Sequence, residues 1–288
     1  MKYIKLFESF KDSDLKSSES SDESLSKSIE SICREYGIQI YRNWTQNGDG
    51  TIDVDGSVFI GGPRIINRLP LKFGKVTGYF FIHKNKLTTL EGCPQEVGGE
   101  FNCSNQELTS LEGSPIKVGG NFNCSNNKLV SLEGGPKEVG GHFWCYDNKL
   151  TSLKGSPSYV NSFSCNSNEL TSLEGSPIRV DGDFLCCNNK LTSLEGGPIY
   201  VGEGFDCEEN NLISLEGGPT EFGEDFNFYC EENPIYKVYE LFPDYKSFMD
   251  SLDYNYLRGS SIDKKRLEEA LGEFDIKMPK RISGWKLI

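Results

Sequence analysis

Residues 101–120 read FNCSNQELTSLEGSPIKVGG, and residues 122–141 read FNCSNNKLVSLEGGPKEVGG. A chain that rewrites itself at a short fixed period is built of units that each stack on the next. The Leu opening L-x-x-L falls at Leu87, Leu108, Leu129, Leu150, Leu170, Leu191 and Leu212, in steps of 21, 21, 21, 20, 21 and 21. Pro94, Pro115, Pro136, Pro157, Pro177, Pro198 and Pro219 keep the same steps. The single 20 has a visible source: the connector Val160-Asn161-Ser162-Phe163 is one residue shorter than its counterparts. Fainter copies flank the array. Phe59, Ile66 and Leu69 sit one period before Phe80, Leu87 and Leu90, and Phe228, Cys230, Asn233 and Ile235 repeat the spacing after two extra residues.

In the unit that starts at Phe122, apolar Phe122, Cys124, Leu129 and Leu132 take places 1, 3, 8 and 11, with Asn127 at place 6. The alternation at Phe-x-Cys is the period of a strand, so Phe and Cys point inward. Stacked coils then form one parallel sheet with neighbours about 4.8 Å apart, so nine strand positions from Phe59 to Phe228 span roughly 40 Å. The two extra residues before Phe228 leave its facing unchanged. The other half of each coil, E-G-x-P-x-x-V-G-G, excludes regular helix through Pro and paired Gly. It predicts turns and extended segments, with Val97, Val118, Val139, Val160, Val180 and Val201 pointing inward. Each coil buries about five apolar side chains worth roughly 1.5–3 kcal/mol each. That offsets the ordering entropy only when neighbouring coils cover both faces. The fold expected is a β-rich solenoid, a right-handed stack of about nine coils of about 21 residues with little helix in the array and a helical C-terminal cap.

Three columns run along the stack. Cys103, Cys124, Cys145, Cys165, Cys186, Cys207 and Cys230 share one place and read as small inward hydrophobes. C-x-x-C pairs and Cys/His clusters of the zinc type do not occur. Asn85, Gln106, Asn127, Asn148, Asn168, Asn189 and Asn210 read as a buried amide ladder satisfying backbone groups; the alternative is a polar binding strip. Glu91, Glu112, Glu133, Lys154, Glu174, Glu195 and Glu216 read as a solvated column, with cation binding as the alternative.

A net charge of −13 argues against nucleic acid, whose phosphates attract Lys and Arg. No apolar run of about 18 residues is present, so the sequence offers no membrane span, and no apolar stretch of the secretory-signal type follows the N-terminus. Unpaired cysteines at one repeated place fit a reducing cytoplasm. No cofactor is implied. Four regions follow: a flexible segment at 1–24, a helix and strand cap at 25–58, the solenoid at 59–233 and a helical cap at 234–288. Helical spacing of Leu25, Ile29, Ile32 and Tyr36 predicts a helix over about 22–36. N-x-D-G-x-I-D near residue 50 resembles part of a calcium loop. Thr45 and Gly56 hold its first and last ligand places, so a turn at Asp49-Gly50 followed by a strand is the better reading. Ser261 to Phe274 reads as a capped amphipathic helix.

The Phe-x-Cys-x-x-Asn-x-Leu frame is similar to the leucine-rich repeat, with Phe and Cys in the first two Leu places. More narrowly, the chain resembles the short leucine-rich-repeat proteins of large tailed bacteriophages of the myovirus type. Their units read like LTSLEG-x-PKEVGG-x-F-x-CS-x-N, and LPLKFGKVTGYF (69–80) and NPIYKVYELFPDYKSFMDSLDYNYLRG (233–259) also look like that family. The resemblance covers about residues 45–288. It implies a bacteriophage protein in the host cytoplasm or inside the virion. It also implies a leader ending at Leu6-Phe7-Glu8, where a prohead protease would cut after Glu8; the bland reading of that stretch is an amphipathic turn.

Places 2, 4 and 5 of each unit point outward and vary where core places do not. Along them the surface passes from small polar residues (Asn123, Asn126) through aromatic and mixed ones (Trp144, Tyr146, Asp147, Asn166, Leu185) to acid (Asp206, Glu208, Glu209). Exposed aromatics of this kind anchor interfaces. His83 and His142 stand alone, without an acid/base constellation. The expectation is a non-enzymatic module binding an unidentified protein through this face, with neither nucleic acid nor membrane as partner and an oligomeric state the sequence leaves open. The alternative is a packaged, capsid-associated protein with a cleaved leader, delivered with DNA.

Overall fold

The computed structural model describes residues 23–288, apart from 63, 253–255 and 259–260. Leu6 and Glu8, and all but the last two residues of the segment expected to be flexible, lie outside the described residues. Helix α1 (Glu23–Tyr36) is followed at once by β1 (Ile38–Gln46), which pairs antiparallel with β2 (Ile52–Ile60). The turn between them sits at Asp49-Gly50, where the Asp49 carboxylate accepts from the Thr51 N–H at 3.0 Å and its hydroxyl at 2.7 Å.

Strand β2 is long enough to start both sides of the stack. Its first residues pair in parallel with β3 (Phe73–Val76) and its last with β4 (Phe80–Ile82). From β4 a front ladder of two- and three-residue parallel strands continues through Phe101–Asn102, Phe122–Asn123, Phe143–Trp144, Phe163–Ser164, Phe184–Leu185, Gly204–Asp206 and Asn227–Tyr229. From β3 a second ladder runs along the return side through Glu96–Val97, Lys117–Val118 and Glu138–Val139. It resumes as a separate sheet at Tyr159–Val160, Arg179–Val180, Tyr200–Val201 and Glu221–Phe222. The single sheet expected from the sequence is therefore corrected to front and return ladders. The inward Val holds the return segment extended in every coil, and its peptide groups need partners as much as those of the front do. The solenoid makes about 11 turns, slightly more than the nine counted in the sequence.

The core is the set of columns the repeat predicts. Phe101, Cys103, Leu108, Leu111 and Val118, and their equivalents through Leu215, are at most 4% exposed. The Phe rings stack along the axis from Phe80 to Phe228, with centroids 5.0–5.7 Å apart. One register differs. Val58, not Phe59, lies opposite Phe80, and Phe59 pairs with Phe81. A one-residue slip reverses facing, so Phe59 is on the outer surface.

The Asn column is the amide ladder. Asn127 Oδ1 accepts the Leu108 N–H at 3.0 Å, and its Nδ2 donates to the carbonyls of Cys103 and Cys124 at 3.0 and 3.1 Å. Each side chain thus ties its own coil to the preceding one. Gln106 does the same with a longer reach, its Nε2 lying 3.4 Å from the Ile82 carbonyl. Two kinds of glycine make the spacing feasible. Gly113 follows the L-x-x-L-E corner with φ +87°, a left-handed conformation costly for other residues. At Gly119 a Cβ would sit 2.3 Å from the Gly98 carbonyl oxygen of the preceding coil.

The C-terminal end is closed by α2 (Tyr236–Tyr239), α3 (Tyr245–Ser251) and α4 (Lys264–Gly272). Tyr245 stacks on Phe228 at 4.3 Å and its hydroxyl donates to the Pro219 carbonyl at 3.1 Å. Helix α4 starts later than the sequence reading. Asp263 is its cap, accepting the Arg266 N–H at 3.2 Å. Ser261 and Ile262 instead form the central strand of a small sheet between Leu257–Arg258 and Lys286–Leu287.

Candidate functional site: the front sheet face

The front ladder fixes one outward column rung by rung. Asn123, Trp144, Ser164, Leu185 and Asp206 are successive register partners. The column continues to Phe81 and Asn102 at one end and to Tyr229 at the other. All the outward residues predicted from the sequence lie along this face, from Asn123 and Asn126 to Glu208 and Glu209, but their roles differ.

Many of the polar residues are occupied by the fold. Asn123 Oδ1 accepts both the Ser125 N–H (3.0 Å) and its hydroxyl (2.7 Å), and Asp206 Oδ1 accepts the Glu208 N–H at 3.0 Å. Place 2 Asn or Asp thus folds back on place 4, an Asx turn. Asn166 accepts from the Ser164 hydroxyl at 2.5 Å. Asn126, Asp147 and Glu209 occupy place 5, where φ is +55°, +52° and +51°. Asn and Asp tolerate that left-handed conformation better than other non-Gly residues, so their identity there has a backbone cause. Of the residues read from the sequence as outward, Ser125 and Ser164 are in fact buried, at 1% and 6% exposure.

Trp144 and Leu185 cannot make the place 2 turn. Trp144 is half-buried, stacked on His142 with centroids 5.5 Å apart, and Tyr146 follows it on the same coil. Together they replace a self-satisfied polar rung with aromatic surface. Two further groups on this face were missed from sequence. Tyr41, Phe59, Phe81 and Tyr79 form a contiguous aromatic group at the N-terminal end, with successive centroids 5.3, 5.3 and 5.6 Å apart. Tyr229 stands 45% exposed at the other end. Phe81 and Tyr229 share place 2 with Trp144, so the repeat register carried the signal.

The C-terminal part of the face is acidic. The Glu208 carboxyl is pushed up to about 7 by its hydrogen bond with Glu231, by burial, and by the charges of Asp206, Glu231 and Glu209. Glu231 Oε2 is buried and receives no N–H donor among the described residues. A shallow cleft lined by Asp183, Glu203, Gly204, Asp225, Asn227 and Tyr229 lies along the same end.

Seven cysteines at the repeat place are buried, and desolvation pushes each of their thiols up. Among the described residues no group of three or more His, Cys, Asp or Glu side chains could hold a metal ion, and no helix is long and apolar enough to cross a membrane. No family model and no curated protein matches the chain.

Proposed function

We propose that this chain is a non-enzymatic protein-binding module that engages its partner through the front sheet face. The observation that carries the reading is the break in the polar column at Trp144 and Tyr146. Neighbouring rungs satisfy their own outward polar groups, whereas this one presents two half-buried aromatic rings on the continuous front ladder. Aromatic rings held on a strand ladder supply contact area at small entropic cost. The acidic end then acts at range, favouring a partner with basic residues beside its apolar contact. The family resemblance supports a phage setting, with a host or phage protein as partner.

The test is a quantitative pull-down from lysate of infected cells, followed by binding measurements on the protein captured. Trp144→Ala and Tyr146→Ala should each weaken binding, by roughly 2–4 kcal/mol for the stronger anchor. Glu208→Lys with Glu209→Lys should slow association, less so at high salt. Changes at Glu112 or Glu133 on the flank should do little. If the flank changes abolish binding while the aromatic ones do not, the front face is the wrong surface. Failure to capture any saturable partner counts against the whole reading.

A further inference from the structure

The return ladder is interrupted at one coil boundary while the front ladder is whole. Elsewhere the return strands are joined by a repeated set of bonds. Ile116 N–H donates to the Gln95 carbonyl at 2.8 Å and Gly119 N–H to the Val97 carbonyl at 2.8 Å; one coil later, Lys137 donates to Ile116 at 2.9 Å and Gly140 to Val118 at 2.9 Å. The same set reappears as Ile178 to Ser158 at 2.9 Å and Asp181 to Val160 at 3.2 Å. Between Glu138–Val139 and Tyr159–Val160 these bonds are missing, and the sheet divides there.

The sequence explains the gap. Counted back from Phe163, Asn161 holds the place of the second connector glycine and makes that residue's bond, to the Gly141 carbonyl at 3.1 Å. The residue deleted is the first connector position, whose N–H elsewhere reaches the Val carbonyl of the preceding coil. The Val139 carbonyl therefore loses its donor, and the strand ahead of the short connector does not pair with it.

Side-chain links stop at the same line. Lys75–Glu96 (2.8 Å) and Lys117–Glu138 (2.5 Å) join coils before it. Tyr159–Asp181 (2.5 Å) and Arg179 over the Tyr200 ring (3.8 Å) join coils after it. Among the described residues no side-chain bond joins 137–139 to 158–160. Among the described residues the hydrogen bonds left to the return side are those at its corners, Asn161 to Gly141 and Leu132 N–H to the Lys154 carbonyl at 3.0 Å, while Val139 and Val160 stay in the core. On the front, Phe143 to Ser162 (2.8 Å), Cys145 to Ser164 (2.9 Å) and Asp147 to Asn166 (3.1 Å) are intact, and Asn168 still bridges to Leu150 and Cys145.

We propose that this boundary is the hinge of the stack. The return side opens there, the front ladder serves as the axis, and the chain from Lys154 onward, with Tyr159–Val160 still bonded to the next return strand, swings together against what precedes it. The bending stiffness of such a stack is set by its nearest-neighbour interfaces, and this interface has lost one of its two ladders. If the front face is the binding surface, Trp144 and Glu208 lie on opposite sides of the axis, so a partner touching both would fix the hinge angle. The test below needs no partner and stands apart from that reading.

Native-state hydrogen exchange should show the Ser158 and Tyr159 amides exchanging about 100-fold faster than those of Ile116 and Lys117, their equivalents at a paired boundary. Spin-label pairs, in a chain with Cys33 and Cys187 replaced by alanine, measure the motion directly. Gln95→Cys with Ile178→Cys spans the boundary on the return side, and Lys128→Cys with Asn211→Cys spans the same number of coils on the other side. The first pair should give the broader distance distribution. Inserting one glycine between Val160 and Asn161 should narrow it and restore protection at residue 159. Equal protection of the two sets of amides overturns the proposal. So does fast exchange with a return-side distribution no broader than the other, because the gap is then a static blister.

Discussion

Replacing Asn189 separates the two jobs that the amide ladder performs. Its Oδ1 accepts the Leu170 N–H at 3.0 Å, and its Nδ2 donates to the carbonyls of Cys165, Cys186 and Cys187 at 3.1, 3.1 and 3.2 Å. The residue is 7% exposed, so water does not readily replace these bonds. In Asn189→Ala the carbonyls suffer least: Cys165 retains the Asn168 amide and Cys186 the Asn210 amide. The Leu170 N–H is left with no acceptor. An orphaned buried N–H costs roughly 1–3 kcal/mol, and the small void adds to it, so a loss of about 2–3 kcal/mol is expected, independent of pH. Asn189→Asp keeps the acceptor but loses the donor. Its ionised carboxylate would face three carbonyl oxygens, so the folded state favours the protonated acid, which can still donate to one of them. The folded pKa is therefore raised, and stability falls as pH rises from the ordinary carboxylate range. Asn189→Asp should be the milder change near pH 4 and the more damaging one at pH 8. Urea unfolding at both pH values, with hydrogen exchange at Leu170 as a local probe, measures this. A loss below about 0.5 kcal/mol for Asn189→Ala, or no pH dependence for Asn189→Asp, would refute the ladder as a source of stability.

Cys124→Ser should cost about 1–2 kcal/mol, since it buries a hydroxyl in an apolar column, and should leave binding through the front face unchanged. In the native protein a thiol reagent should reach the half-buried Cys33 and Cys187 first, and slowly, because their thiols are pushed up to about 11 and about 12; rapid labelling of all seven repeat cysteines would contradict the packing. Glu208 is protonated in the fold at pH values where the unfolded chain has released the proton, so its contribution is lost as pH rises from about 4.5 to about 7. Glu208→Gln should remove that decline and raise stability at pH 8 by about 1 kcal/mol, a figure discounted for the exposure of the pair; an unchanged profile in thermal melts at pH 4, 6 and 8 would show that the pair is not coupled.

The period, the inward columns and the need for neighbours were all legible in the sequence. Phe122, Cys124, Leu129 and Leu132 have meaning only as one buried face, and a recurrence of 21 residues lets that face be covered only by its own copies. Asn127 could be placed in a ladder for the same reason: a polar residue at a fixed place among core positions must satisfy backbone groups. The turn at Asp49-Gly50 and helix α1 were local, set by residues a few places apart.

What the sequence left open depended on register between segments distant along the chain. Phe59 reads as a core residue by spacing, yet pairing in β2 places Val58 opposite Phe80 and sends Phe59 outward to meet Tyr41 and Phe81. The return ladder forms because backbone groups on that side also need partners, which side-chain periodicity does not record. Ser261 and Ile262 carry a helix-like neighbourhood but are claimed by Leu257–Arg258 and Lys286–Leu287. The candidate site divides the same way. Trp144 and Tyr146 stand out in the repeat, whereas the constraint on Asn126 and Asp147 appears only once the left-handed backbone at place 5 is seen. The missing residue after Val160 is plain in the alignment of units. Its result, a broken return ladder beside an intact front one, was decided by packing: the front strands carry the stacked Phe rings and the Asn amides, so the gap fell on the side that has neither.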